Sequence, residues 1–178
     1  MSSISKMRQK MIEIVENVGK GHLGTSLSSL EIILAIREVM RDGDIFISSK
    51  GHDALAQYMV LAHAGILDEE DVEIFRQPGG LESHPTVDTP GISANTGSLG
   101  MGLSKALGFA LGHPERTVFV LLGDGEMMEG QNWEAALAIA QLELPNIVPI
   151  VDCNGFSQDD RAALNLSRIS WMFEGAGW

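Results

Sequence analysis

The sequence predicts an α/β fold built on a small parallel sheet. Three short apolar runs alternate with helical patterns and indicate strands over residues 44–48, 117–122 and 146–151. These runs are apolar throughout, as is typical of parallel strands covered on both faces. Strands that alternate with helices form right-handed crossovers, and therefore a parallel sheet with helices in layers on its faces, a three-layer sandwich. With 178 residues, 44% of them hydrophobic, the chain is expected to form one domain over residues 1–178.

The elements before the first strand are two helices. Apolar side chains recur at helical spacing over residues 7–18, and Gly19 is expected to end this helix. Ser28 followed by Glu31 has the spacing of a capping box, which predicts that a second helix starts there and runs to about residue 40. Residues 20–25 are then a loop.

The sequence of the middle of the chain predicts a turn, two helices and one long loop. Residues 49–52 form a turn, and helices are expected over 54–64 and over 69–75, the latter capped by Asp68. Residues 76–95 are rich in Pro and Gly without periodicity, and so long a loop in a compact domain is usually functional or disordered.

The last part of the chain alternates helices and strands. The Gly-rich stretch 96–103 opens a helix that reaches residue 111. A further helix is expected over residues 129–142 between the second and third strands, and a short one over 167–174. Polar, glycine-containing sequences end both of the later strands, at residues 123–125 and 152–155.

Charge and composition exclude several classes of function. A net charge of −12 repels nucleic acid phosphates, so nucleic-acid binding is not expected. Cys153 is the single cysteine, which rules out an intramolecular disulfide and fits a reducing compartment. The sequence has neither a signal peptide pattern nor an apolar run of the ~18 residues that a membrane helix needs. A cytoplasmic protein with no membrane contact is therefore predicted.

A partner chain is expected at the edge of the sheet. Three parallel strands alone would leave long edges exposed. The sequence also stops at Trp178, where an α/β unit would usually lead into its next strand.

Two oxygen-bearing side chains follow neighbouring strands and predict a metal site. Asp124 follows the second strand and Asn154 the third, and ligands of open parallel sheets bind at this carboxyl edge. Mg²⁺ prefers oxygen ligands in an octahedron that phosphate often completes. A backbone carbonyl after Asn154, two diphosphate oxygens and a water would fill the shell, and Gly125 would let phosphate approach the backbone. The alternative is that residues 123–125 are an ordinary turn in which Asp124 caps a helix.

Five stretches resemble, in order and spacing, motifs of the transketolase family, from about Gly19 to Phe156. The strongest is the thiamine diphosphate motif, from Gly123-Asp-Gly-Glu-Met-Met-Glu-Gly130 to Asp152-Cys-Asn-Gly-Phe156. The other four are the Gly-His-x-Gly loop at residues 21–24, the histidine turn Ser-Lys-Gly-His at 49–52, the third histidine with Pro at 84–85, and the Gly-rich loop at 96–100.

The resemblance implies a cofactor, a metal and a set of site residues. Asp124, Asn154 and the Phe156 carbonyl would bind Mg²⁺ (or Ca²⁺ or Mn²⁺), which anchors thiamine diphosphate. The residues expected at the cofactor are His52, Gly97, Ser98, Leu99, Gly123, Asp124, Gly125, Glu126 and Asn154. Those expected to take part in catalysis are His22, His52, His84 and Glu129.

Simpler interpretations of these residues stay open. The histidines would be exposed loop residues without a role, and the residues before His84 depart from the family's usual glycine. Glu129 would be a solvated carboxylate at the start of a helix. His63 and His113 are interpreted as surface residues.

The resemblance also implies a divided enzyme. The family's aminopyrimidine-activating glutamate lies in a second, pyrimidine-binding domain, which is expected on a separate chain in an α2β2 heterotetramer. Leucine in place of proline in the first histidine loop, at Leu23, also resembles the split forms. The implied reaction transfers a two-carbon ketol unit from a ketose, free or phosphorylated, to an aldehyde.

Other functions remain as alternatives. One is a specialised thiamine-dependent acyl or ketol transferase that acts on an unusual sugar or a carrier-bound substrate. Another is a non-catalytic scaffold of the same fold. A nicotinamide dehydrogenase is disfavoured because Lys105 stands where a G-x-G-x-x-G fingerprint needs its last glycine.

Overall fold

The computed structural model describes residues 3–157 and 160–178. The chain divides into two compact units, each formed from two segments. The first unit combines the chain up to Val39 with Gly51–Gly97, and the second combines Met40–Lys50 with Ser98–Trp178. The expectation of a single domain over residues 1–178 stays a prediction.

The first unit is helical. Its helices are α1 (Ser3–Val18), α2 (Leu23–Val39), α3 (Ala54–His63) and the short α4 (Glu69–Glu73). All four were predicted, and α2 packs against both α1 and α3. The buried side chains of α1 are Met7, Met11 and Ile14, which lie on one face as the helical spacing indicates.

The capping box predicted at Ser28 is wrong. Helix α2 begins at Leu23, and Ser28 lies inside it. The Ser28 hydroxyl donates to the backbone carbonyl of Thr25 at 3.0 Å, an intrahelical bond that leaves the helix intact. The helix instead starts directly after His22, whose carbonyl accepts from the Ser26 amide at 3.1 Å. His22 therefore lies at the helix start rather than in a six-residue loop.

The long loop over residues 76–95 has defined contacts within the first unit. The buried Tyr58 hydroxyl donates to the Glu82 carbonyl at 3.1 Å. Further along the loop, the Val87 amide donates to the Asn95 side-chain oxygen at 2.7 Å. These bonds fix the path of a segment that has no regular secondary structure.

The second unit contains the parallel sheet. Strands β1 (Ile45–Ser48), β2 (Val118–Gly123) and β3 (Ile147–Asp152) are arranged in the order β1-β2-β3, and all pairs are parallel. The predicted α/β class and the three parallel strands are confirmed. The central strand β2 is the most buried, whereas Val148 on the edge strand β3 is 37% exposed.

Among the described residues, three helices and a pair of short antiparallel strands complete the second unit. The helices are α5 (Gly102–Gly112), which packs on the sheet, α6 (Gly130–Gln141), which packs on α5, and α7 (Leu166–Gly175). Two features were not predicted. A 3₁₀ turn (Gly125–Met128) separates β2 from α6, and β4 (Phe156–Ser157) pairs antiparallel with β5 (Asp160–Arg161).

The amino end of β3 is held by one side chain. The Asn146 amide nitrogen donates to the carbonyls of Ala110, His113 and Arg116 at 3.0–3.3 Å. This network lies at the opposite end of the sheet from the polar sequences that follow β2 and β3. In the part of the chain that the structure describes, no helix has both the length and the apolar content to cross a membrane.

Candidate functional site

The carboxyl ends of β2 and β3 meet, as the predicted metal site requires. Gly123 is paired with Asp152, so the segments that follow both strands leave the same edge of the sheet. The buried Asp124 carboxylate accepts from the Gly125 amide at 2.9 Å and from the Gly155 amide at 2.6 Å. The structure therefore brings Asp124 against the loop that carries Asn154.

The Asn154 side chain is oriented by its neighbours in this loop. Its amide nitrogen donates to an Asp152 carboxylate oxygen at 3.1 Å, and its carbonyl oxygen accepts from the Phe156 amide at 2.9 Å. The carbonyl oxygen keeps a second lone pair, and so does each carboxylate oxygen of Asp124, because each accepts one backbone amide. The donor set of one carboxylate, one amide oxygen and a backbone carbonyl fits a hard cation such as Mg²⁺.

The electrostatics of the edge also suit a cation. Partial burial raises the pKa of the Cys153 thiol, and the negative charges of Asp124 and Asp152 raise it further. Among the described residues, no group of three or more His, Cys, Asp or Glu side chains is arranged to hold a metal. A cation at this edge would therefore need ligands beyond the protein's acids.

Gly125 is required by the fold itself. A Cβ built on it would lie 2.7 Å from the Ser157 hydroxyl oxygen, because β4 passes close to the 3₁₀ turn. The close approach seen here is thus between two segments of the protein. The predicted approach of phosphate to Gly125 stays a prediction.

Glu126 is a buried carboxylate with three protein donors. One oxygen accepts from the Gly100 amide at 2.7 Å and from the Ser49 hydroxyl, and the other accepts from the Gly123 amide at 3.2 Å. Glu126 was predicted among the cofactor residues, whereas Ser49 was not identified from the sequence.

A buried ion pair near the same edge was not anticipated. Lys50 and Asp152 lie 2.6 Å apart, with their side chains 2% and 8% exposed. Both residues belong to the motifs that follow β1 and end β3, but nothing in the sequence indicated that they pair. The pair matters to the metal site because the same Asp152 oxygen accepts from Asn154.

The three histidines at glycine-rich turns form a cluster in the first unit. The ring centroids of His22 and His52 are 5.5 Å apart, and those of His22 and His84 are 6.2 Å apart. Both pairs meet edge to face. The resemblance implied a catalytic role for each of these histidines, which stays a prediction; the structure places the three rings close together. His63 is exposed at the end of α3, as predicted.

The pKa of His84 lies below its ordinary value. Burial lowers its pKa, and the neighbouring His22 and Arg76 lower it further. Its Nδ1 lies 3.3 Å from the Ser83 hydroxyl. Gly97 packs against this ring, since a Cβ on Gly97 would lie 3.1 Å from His84 Cδ2. The lowered pKa favours the neutral imidazole at pH 7, and Gly97 packs against the ring.

The remaining predicted residues lie on the surface of the second unit. Ser98 and Glu129 are exposed, and Leu99 is half-buried. Glu129 precedes α6 without capping it through its side chain. A Cβ on Gly100 would lie 2.7 Å from the Cβ of Glu129, so the Gly-rich loop packs directly against the start of α6.

Comparison with known proteins gives one family over the whole chain. The family model of the transketolase thiamine diphosphate binding domain matches residues 1–178. Three curated relatives are a subunit of the apulose-4-phosphate transketolase of Phocaeicola vulgatus, a subunit of the 6-deoxy-6-sulfo-D-fructose transketolase of a Clostridium species, and human transketolase. Their identities to this chain are 38%, 35% and 34%.

These relatives are longer than the chain. The matches cover 97%, 86% and 90% of this chain, but only 68%, 62% and 28% of the three relatives. The match therefore does not include the rest of those proteins.

Solved transketolases share the fold. A transketolase variant from Pichia stipitis superposes with a TM-score of 0.87 at 30% identity, over 98% of this chain and 30% of the other. The Campylobacter jejuni enzyme gives a TM-score of 0.89 at 26% identity, over 98% and 31%. Sequence and fold thus agree, and this chain belongs to the transketolase family, in which it corresponds to the thiamine diphosphate binding domain.

Proposed function

We propose that the chain is the diphosphate-binding part of a thiamine diphosphate-dependent transketolase that transfers a two-carbon ketol unit from a ketose to an aldehyde. The observation that carries the proposal is the Asp124 carboxylate set against the Asn154 loop at the carboxyl edge of the sheet. The family match over the whole chain supports the choice of cofactor.

In this proposal the cation is bound by Asp124, Asn154 and the Phe156 carbonyl, and cofactor phosphate oxygens complete its shell. Mg²⁺ suits this set best because it retains phosphate and water ligands, although Ca²⁺ and Mn²⁺ share its preference for oxygen. Gly123 and Gly125 are the glycines at which the backbone would approach the phosphate beside the strand end. His52, Gly97, Ser98 and Leu99 are the further proposed cofactor contacts.

The chain's residues would mainly position and protect the reacting groups. When bound, thiamine diphosphate supplies the electron sink that lets a bond beside a ketose carbonyl break. His22, His52 and His84 would donate to sugar hydroxyls or accept their protons, because a neutral imidazole can do both. The lowered pKa of His84 favours its neutral form at pH 7.

We further propose that the pyrimidine-binding domain is on a separate chain, in an α2β2 heterotetramer. The support is that relatives at 35–38% identity are named as subunits of transketolases. Glu129 would then lie at the contact between active sites. A cytoplasmic location also stays a prediction.

The substrate would be an uncommon sugar or sugar phosphate. Two relatives are named for apulose 4-phosphate and for 6-deoxy-6-sulfo-D-fructose, and this favours the specialised ketol transferase over a standard pentose phosphate enzyme. With a net charge of −12, this chain gives no long-range attraction for an anionic substrate. Basic groups for such a substrate would come from the partner.

The test is cofactor binding by the complex purified with its native partner. Calorimetry with thiamine diphosphate and Mg²⁺ should show binding to the wild type, and Asp124→Asn should lower the affinity at least about tenfold because it removes a charged ligand. Asp44→Asn is the matched control. The Asp44 carboxylate also accepts two backbone amides, those of Arg41 and Thr117, but lies at the start of β1.

The outcomes separate the candidate functions. Binding that is lost in Asp124→Asn and kept in Asp44→Asn supports the metal site. Equal affinities in all three proteins would refute it. Ketol transfer that persists in the Asp124 variant would return the non-catalytic scaffold to consideration for this chain.

A further inference from the structure

The Glu126 side chain joins three segments of the second unit. The Ser49 hydroxyl comes from the turn after β1, the Gly123 amide from the end of β2, and the Gly100 amide from the Gly-rich loop. The carboxylate is 3% exposed. One side chain therefore fixes the ends of two adjacent strands and the loop that follows Ser98 and Leu99.

The turn that carries Glu126 is itself held from behind. The Asn132 amide donates to the Glu126 carbonyl at 2.8 Å, and the Trp133 indole donates to the Met127 carbonyl at 2.9 Å. The Ser49 hydroxyl, which donates to Glu126, also accepts from the Gly102 amide at 3.0 Å. The carboxylate is thus a rigid reference point for the Gly-rich loop, on a turn that begins one residue after Asp124.

If Glu126 only stabilised the fold, its side chain would not need to lie at this edge of the sheet. The chain offers a comparison in Asn146, a second side chain that joins three backbone groups, at the amino end of β3. Both side chains should contribute to stability, since both satisfy buried polar groups. Only Glu126 lies at the edge where Asp124 and Asn154 meet.

We propose that Glu126 is a positioning residue that holds the Gly100 and Gly123 amides in the arrangement needed to bind thiamine diphosphate, without contacting the cofactor itself. The inference rests on the proposed function. Its physical basis is that the Glu126 side chain is buried, at 3% exposure, and that both its carboxylate oxygens accept protein donors, so it acts through the loop and the strand end.

Glu126→Gln is the informative substitution because it preserves size. The new amide can keep an oxygen towards Gly100 and Ser49, but it then turns an N–H₂ group towards the Gly123 amide, so two donors face each other. Ser49→Ala is the milder second variant and removes one of the three donors. Asn146→Ala is the control.

Three quantities are measured on the complex with its native partner: the affinity for thiamine diphosphate with Mg²⁺, the thermal midpoint, and amide exchange at Gly100 and Gly123 without ligand. We expect Glu126→Gln to lower the affinity roughly 10- to 100-fold, the usual effect of losing an orienting partner, and to speed both exchanges. Ser49→Ala should do the same to a smaller extent. Asn146→Ala should lower the thermal midpoint but change the affinity less than about twofold.

The possible failures are distinguishable. If the wild-type complex does not bind the cofactor, the proposed function fails and this inference with it. If the wild type binds and Glu126→Gln binds equally well, the inference alone is overturned. It is also overturned if Asn146→Ala loses affinity in proportion to its stability, as Glu126→Gln does, because the effect would then be general destabilisation. Should Glu126→Gln not fold, the same criteria apply to Ser49→Ala.

Discussion

Replacing Lys50 by methionine should destabilise the chain strongly. Lys50 and Asp152 lie 2.6 Å apart with side chains that are 2% and 8% exposed, so neither charge is solvated by bulk water. Methionine preserves most of the volume of the lysine stem but removes the charge. The Asp152 carboxylate would remain buried without its cation, an arrangement whose cost exceeds that of losing an ordinary surface pair.

The magnitude follows from the burial of both partners. Breaking a buried pair on one side costs about 3–5 kcal/mol. For a chain of 178 residues, each kcal/mol lowers the thermal midpoint by about 2–4 °C, so the expected shift is roughly 6–20 °C. Asp152 would keep the Asn154 amide as a donor, which places the expected cost at the lower end of the range.

The free energy of unfolding is measured by urea unfolding of the purified full chain at about pH 7 and 25 °C, and the thermal midpoint by heating the same samples. The Lys50→Met, Asp152→Asn double variant should recover much of the loss because it removes both charges of the pair and leaves neither one buried without its partner. Lys10→Met is the control, since the Lys10–Glu73 pair is exposed and should contribute less than about 1 kcal/mol. A Lys50→Met chain within about 1 kcal/mol of the wild type would refute the reasoning.

Three further predictions concern the first unit. In an NMR titration, His84 should be half-protonated below pH 6.5, and the stability of the protein should decline as the pH falls from 6.5 through this lowered pKa. The His22→Ala substitution should raise the pKa of His84, and an unchanged titration would contradict the contact between the two rings. Burial raises the pKa of Tyr58 to about 12, so the free energy of unfolding of the wild type should fall between pH 10 and about 12. Denaturation measured as a function of pH should show a smaller fall for Tyr58→Phe, which lacks the ionising hydroxyl. Gly51→Ala should lower the free energy of unfolding by more than about 2 kcal/mol, because φ is +40° and the new Cβ would lie 2.5 Å from the Gly97 amide nitrogen. Gly19→Ala, at φ +72° with no atom near the new Cβ, should lower it by only about 1 kcal/mol. Equal thermal midpoints of the two variants would contradict this.

Several parts of the fold follow from local pattern. The three strands lie where the apolar runs indicated. The central strand β2 is covered on both faces and therefore has to be apolar on both. The meeting of Asp124 with the Asn154 loop also follows, since consecutive parallel crossovers return their strands in the same direction and release their carboxyl ends at one edge. The family resemblance singled out His22, His52 and His84 one by one, and the structure shows that their rings lie together.

Prediction from local sequence pattern failed where contacts between residues distant in the sequence determine the structure. The spacing of Ser28 and Glu31 fits a helix start, yet the helix begins five residues earlier and buries Ser26 and Ser29 in its packed face. Serine favours a helix start when its hydroxyl has no better partner, and here the Ser28 hydroxyl bonds within the helix. The 3₁₀ turn after β2 was missed for a similar reason, because its buried Glu126 is held by Ser49 and Gly100, which are 77 and 26 residues away in the sequence.

By itself, the sequence determined the α/β class, the order of the strands along the chain, and the edge at which Asp124 and Asn154 emerge. Those features depend on the periodicity of apolar residues and on chain direction, both of which are local. Only the tertiary structure decided that Lys50 pairs with Asp152 and that Glu126 holds Ser49, Gly100 and Gly123. From sequence alone a charged residue is expected at the surface, because it is rarely buried without a partner. The partners here are distant in the sequence: Lys50 and Asp152 are 102 residues apart, and Ser49 and Glu126 are 77 residues apart.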